Sequence, residues 1–217
     1  MKSFLAFILD ALFPKKESIV QLESLKASDL RTLLTVSPRT PEPWMHALFA
    51  YKNPRARDYI WQIKYADNKT LTQTAGELLA EEIVSHIEDE TFSIGTNFVL
   101  VAIPGSLEHT KEKGFNQTHE LCSVVANLVS PTLLKYIPHA LAKVRETPPQ
   151  ASIHNRGDRI ENLIHAFEVN PSIAPELYGK HIILIDDVLT TGSTLTEAKR
   201  ALLEVGVRSV TGFTLAH

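Results

Sequence analysis

Cysteine is almost absent from this chain: Cys122 is the single one in 217 residues. An intramolecular disulfide is therefore excluded, and so is a zinc site built from several thiolates. Cys122 lies in "HELCSVVANLV", a helical pattern in which it reads as a small buried hydrophobe. The lack of disulfides fits a reducing compartment, so a cytoplasmic location is expected. Excess charge of one sign is lacking too. A formal net charge of -3 speaks against a dedicated nucleic-acid coat and leaves room only for local basic patches. No apolar run is long enough to span a bilayer, and Asp10 interrupts the longest candidate, "MKSFLAFILDALFPKK". No small-residue cleavage site follows it, so no signal peptide is expected. Phe4, Phe7, Ile8 and Leu12 recur there at helical spacing, with Pro14 as the stop. This predicts an amphipathic helix packed on the body, with a membrane-surface helix as the minority alternative. Internal repeats, low-complexity segments and histidines at metal-ligand spacing are also missing.

What is present is an ordinary globular composition, 44% apolar and 22% charged. The Pro-rich "TVSPRTPEP", Thr35 to Pro43, reads as an irregular linker. Helical spacing follows at about Arg57 to Lys64 and Thr70 to Ile87. After residue 95 the texture changes. "FVLVAI" and "HIILIDD" are short aliphatic runs between turn signals, as expected of strands buried on both faces. Helices are predicted over about Gln117 to Val129 and Thr194 to Glu204. Further strands are predicted at "LAKVRE", near Phe167 and at "SVTGFTLA". Strands alternating with helices argue for an α/β fold, a mostly parallel sheet with flanking helices over 95–217, preceded by a helical N-terminal part over 1–94.

The densest chemical signal is "HIILIDDVLTTGSTLTEAKRAL". In a parallel α/β sheet, ligands bind at the carboxyl ends of strands, which is where Asp186 and Asp187 fall. The loop Val188, Leu189, Thr190, Thr191, Gly192, Ser193, Thr194 then runs straight into a helix. Its hydroxyls, its backbone N–H groups and the helix N-terminus suit a phosphate, and Gly192 permits close approach or positive φ. Two carboxylates repel that phosphate but suit vicinal hydroxyls or a hydrated Mg²⁺ beside it. A phosphate next to a diol describes a ribose 5-phosphate group. The plainer alternative, a capped helix start, accounts for one hydroxyl and one carboxylate at most. Neither G-x-G-x-x-G nor the G-K-[ST] of a P-loop is present.

"IILIDDVLTTGST" resembles the phosphoribosyl-pyrophosphate (PRPP) motif of type I phosphoribosyltransferases. "LVAIPGSLEHTKEKGFNQTHELC", "RETPPQASIHNRGDRIENLIHAF" and "FAYKNPRARDYIWQIKYADNKTL" resemble segments of one subfamily, the ComF-like proteins related to amidophosphoribosyltransferases. The resemblance implies a type I phosphoribosyltransferase fold with PRPP and Mg²⁺ as ligands. It implies that Asp186 and Asp187 orient the ribose and hold Mg²⁺ indirectly, and that the loop to Thr194 binds the 5-phosphate. Pro104 and Gly105 would begin a pyrophosphate loop, with Lys111 and Lys113 as charge partners. Asn116 and Gln117 could cap the next helix or contact the ligand. A flexible loop carrying Lys143, Arg145, Gln150 and Arg156 would close over the pyrophosphate, a mobile surface loop being the alternative. Two departures stand out. "DALFPKKESIV" has no cysteines where the family carries a zinc knuckle, and Lys113 replaces the usual Arg before "GFNQ", a point charge in place of a bidentate fork.

Three functions compete. The first is a phosphoribosyltransferase whose acceptor the sequence does not name. The second is a non-catalytic module that senses PRPP or a nucleotide and signals to protein partners; the resemblance links such proteins to competence and DNA uptake. The third, direct handling of single-stranded DNA, would need a basic groove lined with aromatics, and only Phe115 lies near the basic loops. Direct nucleic-acid binding therefore has no strong signal. Trp61, Lys64 and Tyr65 are candidates for an acceptor-facing hood, with core packing favoured for the two aromatics. The oligomeric state stays open, a homodimer among the options.

Overall fold

The computed structural model describes residues 16–37, 39–94, 97–105, 116–145 and 165–217. The N-terminal amphipathic stretch, Lys111, Lys113, Phe115, Gln150 and Arg156 lie outside the described residues. The main sheet has five strands, all parallel: β1 (Met45–Phe49), β7 (Ser209–Ala216), β6 (His181–Val188), β2 (Phe98–Ala102) and β3 (Leu134–Tyr136), in that spatial order. A separate antiparallel pair joins β4 (Leu141–Lys143) to β5 (Phe167–Val169).

Both faces of the sheet are covered, and the period of two along each strand sorts the side chains between them. Leu100, Ile183, Ile185, Phe213 and Leu215 join one core. Helices α1 (Glu17–Ser24), α2 (Ala27–Leu33), α3 (Pro54–Tyr65), α4 (Lys69–Ile94) and α5 (Gln117–Leu128) supply its other half. Val99, Val101, Ile182, Leu184 and Val210 join the other core, with α7 (Ser193–Glu204), the short α6 (Ala174–Leu177) and the β4–β5 pair. Cys122 is fully buried in the first core, and burial pushes its thiol well above the ordinary range. It is a packing residue.

Helix boundaries follow local chemistry. Asn53 accepts a hydrogen bond from the Arg55 N–H at 2.9 Å, and Pro54 opens α3. Asn116 accepts from the Thr118 N–H at 3.1 Å to start α5, so it serves as the cap. Gly76 lets α4 and α5 approach closely: a Cβ there would lie 2.3 Å from Cγ1 of Val124.

The part before residue 95 is mostly helical and also lends the sheet one strand, since β1 pairs in parallel with β7, Met45 opposite Gly212 and Phe49 opposite Ala216. The sheet therefore draws on both sides of the expected boundary. Five residues in an edge strand give too short an alternation to stand out beside the Pro-rich segment, where Val36 bridges Phe49.

Candidate active site

β6 carries five buried residues, His181–Ile185, before it emerges at Asp186 and Asp187 on the carboxyl edge of the sheet. The backbone N–H of Asp187 donates to Oδ1 of Asp186 at 2.9 Å. Burial first, and the neighbouring Asp187 charge second, push the Asp186 carboxyl from 3.8 up to about 7. The Lys64 Nζ at the end of α3 lies 2.8 Å from Oδ2 of Asp187. Burial alone would lower the Lys64 ammonium, but the Asp187 carboxylate outweighs it and holds the group above its ordinary value.

The chain then turns into α7. Leu189 is buried, and its N–H donates to the Ala216 carbonyl at 2.8 Å. Val188, the last residue of β6, packs against the first core. Gly192 takes φ 81°, in the left-handed region, and a Cβ there would sit 2.8 Å from Cε of Met45. As the N-cap residue it provides no side chain, and no side-chain cap closes the start of α7. The hydroxyls of Thr191 and Ser193 bond to each other. The helix thus begins with backbone N–H groups, partly buried hydroxyls and the positive end of its dipole, with the acidic pair immediately upstream. Thr191 Oγ1 also accepts the Ser193 N–H at 3.4 Å, so one of the first N–H groups of α7 already has a side-chain partner.

Neighbouring strands frame the same edge. Pro104 and Gly105 follow β2, where the Ile103 N–H donates to the Ile185 carbonyl at 2.9 Å. Gln117, at the start of α5, donates from Nε2 to the Lys64 carbonyl. Lys143 ends β4 and Arg145 is exposed just beyond it. The base of that strand pair is tied to α7, since Glu197 accepts from the His165 N–H at 2.6 Å and holds Arg200 through both carboxylate oxygens. The structure therefore gathers Asp186, Asp187, the loop to Thr194, Pro104, Gly105 and Lys64 around the end of β6.

Two features were not foreseen. His217 follows β7, and its Nδ1 lies 3.0 Å from the Leu189 carbonyl, bracing the first residue of the loop. Its position just past a strand's carboxyl end is the signal that could have found it. Trp61 and Tyr65 are not core residues: they are 54% and 51% exposed, with ring centroids 5.7 Å apart. They share a turn of α3 with Lys64, whose own partner Asp187 lies in the other half of the chain.

The donor set fits Mg²⁺. Two partly buried carboxylates side by side, Asp186 and Asp187, match a cation that keeps most of its water. Among the described residues no group of three or more His, Cys, Asp or Glu side chains is gathered for a metal held by protein alone.

Comparison with known proteins finds similarity to phosphoribosyl transferase domains and to competence and DNA utilization proteins. Residues 122–216 match the family described as "Phosphoribosyl transferase domain". The chain is 29% identical to Competence protein ComFC of Streptococcus pneumoniae, over 79% of this chain and 67% of that protein. It is 27% identical to DNA utilization protein YhgH of Escherichia coli, over 78% and 71% respectively. Among solved structures, Trypanosoma cruzi hypoxanthine phosphoribosyl transferase aligns with a TM-score of 0.38 at 12% identity. That alignment covers 66% of this chain and 63% of that one, so the chain spans less than two thirds of that protein. The chain is thus similar to phosphoribosyl transferase domains over 122–216 and, more widely, to the ComFC and YhgH proteins.

Proposed function

We propose that the protein binds PRPP together with Mg²⁺ and transfers its 5-phosphoribosyl group to a nucleophilic acceptor. The observation that carries this reading is the passage from buried β6 through Asp186 and Asp187 to an uncapped helix opened by a left-handed glycine. In it, the acidic pair accepts hydrogen bonds from the ribose hydroxyls, and the N–H groups and hydroxyls from Thr190 to Thr194 donate to the 5-phosphate. The C1–O bond breaks with its electron pair leaving on pyrophosphate, so positive charge builds at the ribose beside the Asp187 carboxylate. Such a reaction asks for positioning and electrostatics, and no side chain need serve as nucleophile. Bound Mg²⁺ would neutralise charge on the pyrophosphate; Pro104 and Gly105 would line its loop, and Lys143 and Arg145 sit at the base of the segment proposed to close over it.

The test is thermal unfolding with PRPP and Mg²⁺, on wild type and on the Asp186→Asn, Asp187→Asn double variant. Ligand at a hundredfold above its dissociation constant adds about 2.7 kcal/mol. For a chain of this size that raises Tm by roughly 5–10 °C. The shift should vanish in the double variant. No shift in wild type would remove PRPP as the ligand.

A second reading is favoured by the names of the relatives, which describe competence and DNA utilization. In it the protein binds PRPP or a nucleotide without turning it over and acts through protein partners of DNA uptake. Acceptor-dependent release of pyrophosphate separates the two. Release supports transfer; binding without release under a broad panel of bases and amines supports the sensing role.

A further inference from the structure

The loop that leads from β6 into α7 is held at its first buried residue by the end of β7. The Leu189 N–H donates to the Ala216 carbonyl at 2.8 Å, and the Leu189 carbonyl lies 3.0 Å from Nδ1 of His217. Both backbone groups of Leu189 are thus fixed by two consecutive residues. A carbonyl can only accept, so the His217 ring presents a protonated Nδ1 to it.

His217 is in turn anchored through its own backbone. Its N–H donates to the Phe49 carbonyl at 3.0 Å, and its carbonyl accepts from the Tyr51 N–H at 2.9 Å. Phe49 ends β1, and the first residue of that strand, Met45, puts its Cε 2.8 Å from the place a Cβ on Gly192 would take. One edge strand from the N-terminal half therefore supports the loop at two points, under Gly192 through Met45 and at Leu189 through His217.

We propose that His217 is a positioning residue for the 5-phosphate. By donating from Nδ1 to the Leu189 carbonyl, it sets the path of the loop before a ligand arrives. It acts through Leu189 and not by contact with the ligand. A loop ordered in advance spares the ligand that ordering cost, so loss of the brace shows as weaker binding. This rests on the phosphoribosyl reading of the site and adds to it a residue from the last strand.

The experiment is calorimetric titration of ribose 5-phosphate and of PRPP, each with Mg²⁺. It compares wild type with His217→Asn, His217→Gln and His217→Leu. The asparagine amide nitrogen falls near the place of Nδ1, the glutamine amide reaches toward that of Nε2, and leucine has no donor. Leucine and glutamine should weaken both ligands by about 3- to 10-fold, the range for losing one hydrogen bond, while asparagine stays within about twofold of wild type. Equal binding by all four proteins, or equal weakening in all three variants, would overturn the assignment and leave the phosphoribosyl site standing. If wild type binds neither ligand, the site reading falls and this assignment falls with it. Unfolding curves without ligand show whether each variant is folded. Should the leucine variant misfold, the contrast between asparagine and glutamine still decides, since both add a polar amide and only one places it to donate.

Discussion

Asp186→Asn should remove a pH dependence of stability that the acidic pair builds into the fold. The folded carboxyl titrates at about 7 against an ordinary 3.8, because burial and Asp187 both disfavour its charge. A carboxyl raised on folding binds its proton more tightly in the native state. Its favourable contribution is therefore fully present below about pH 4 and is lost as pH rises toward 7. The full gap corresponds to roughly 4 kcal/mol. Most of the measurable part, about 2–3 kcal/mol, falls between pH 5 and 8. Asparagine stays neutral throughout and keeps an oxygen to accept the Asp187 N–H. Urea unfolding of both proteins at half-unit pH steps should give curves that diverge above pH 5, the variant becoming the more stable at pH 8 by about 2–3 kcal/mol. Titrating groups away from Asp187 and Lys64 affect both proteins alike and cancel in the difference. Parallel curves would show that Asp186 is ionised at no cost, and the account of its carboxyl as held up by burial and by Asp187 would be wrong.

Three further outcomes follow from packing. Gly192→Ala puts a β-carbon into the left-handed region against the tip of Met45, which can move. It should cost about 1–2 kcal/mol in chemical denaturation and weaken inorganic phosphate binding as the loop shifts. Gly76→Ala has no such escape, since the clash is with the stiff Val124; overpacking of about 1–3 kcal/mol should outweigh the gain in helix propensity, read as a fall in Tm. Tyr59→Phe removes a buried hydroxyl that donates to the Leu71 carbonyl at 3.0 Å. A loss of about 1–2 kcal/mol is expected in urea titration at neutral pH.

The parts of this fold legible in the sequence were those whose pattern is local. β2 and β6 stand out because strands covered on both faces are continuous aliphatic runs, and the end of β6 is marked by its own two aspartates. α5 and α7 show their periods and boundaries. β1 and β3 were not legible: five and three residues give no reliable alternation, and both lie at sheet edges. The candidate site divides in the same way. Asp186 to Thr194 is contiguous and carries its chemistry in order. The Lys64–Asp187 contact and the brace from His217 depend on chain crossings that no local window contains. Trp61 and Tyr65 were misjudged for a related reason. A helix turn with two aromatics looks like a buried stripe until the neighbouring Tyr59, Ile60 and Ile63 are seen to take the inner face.

The pairing of β1 with β7 bears on how the chain is made. Met45 emerges in synthesis well before its ladder partner, Gly212, which lies 167 residues further along the chain. Until then the β1 edge has no strand beside it, and the helices packed around it cover an incomplete sheet. Joining ends so far apart is entropically slow, and folds dominated by such contacts fold late and expose sticky surface meanwhile. A nascent chain halted before β7 should therefore remain dependent on holdase chaperones, with both of its cores waiting on the same late strand.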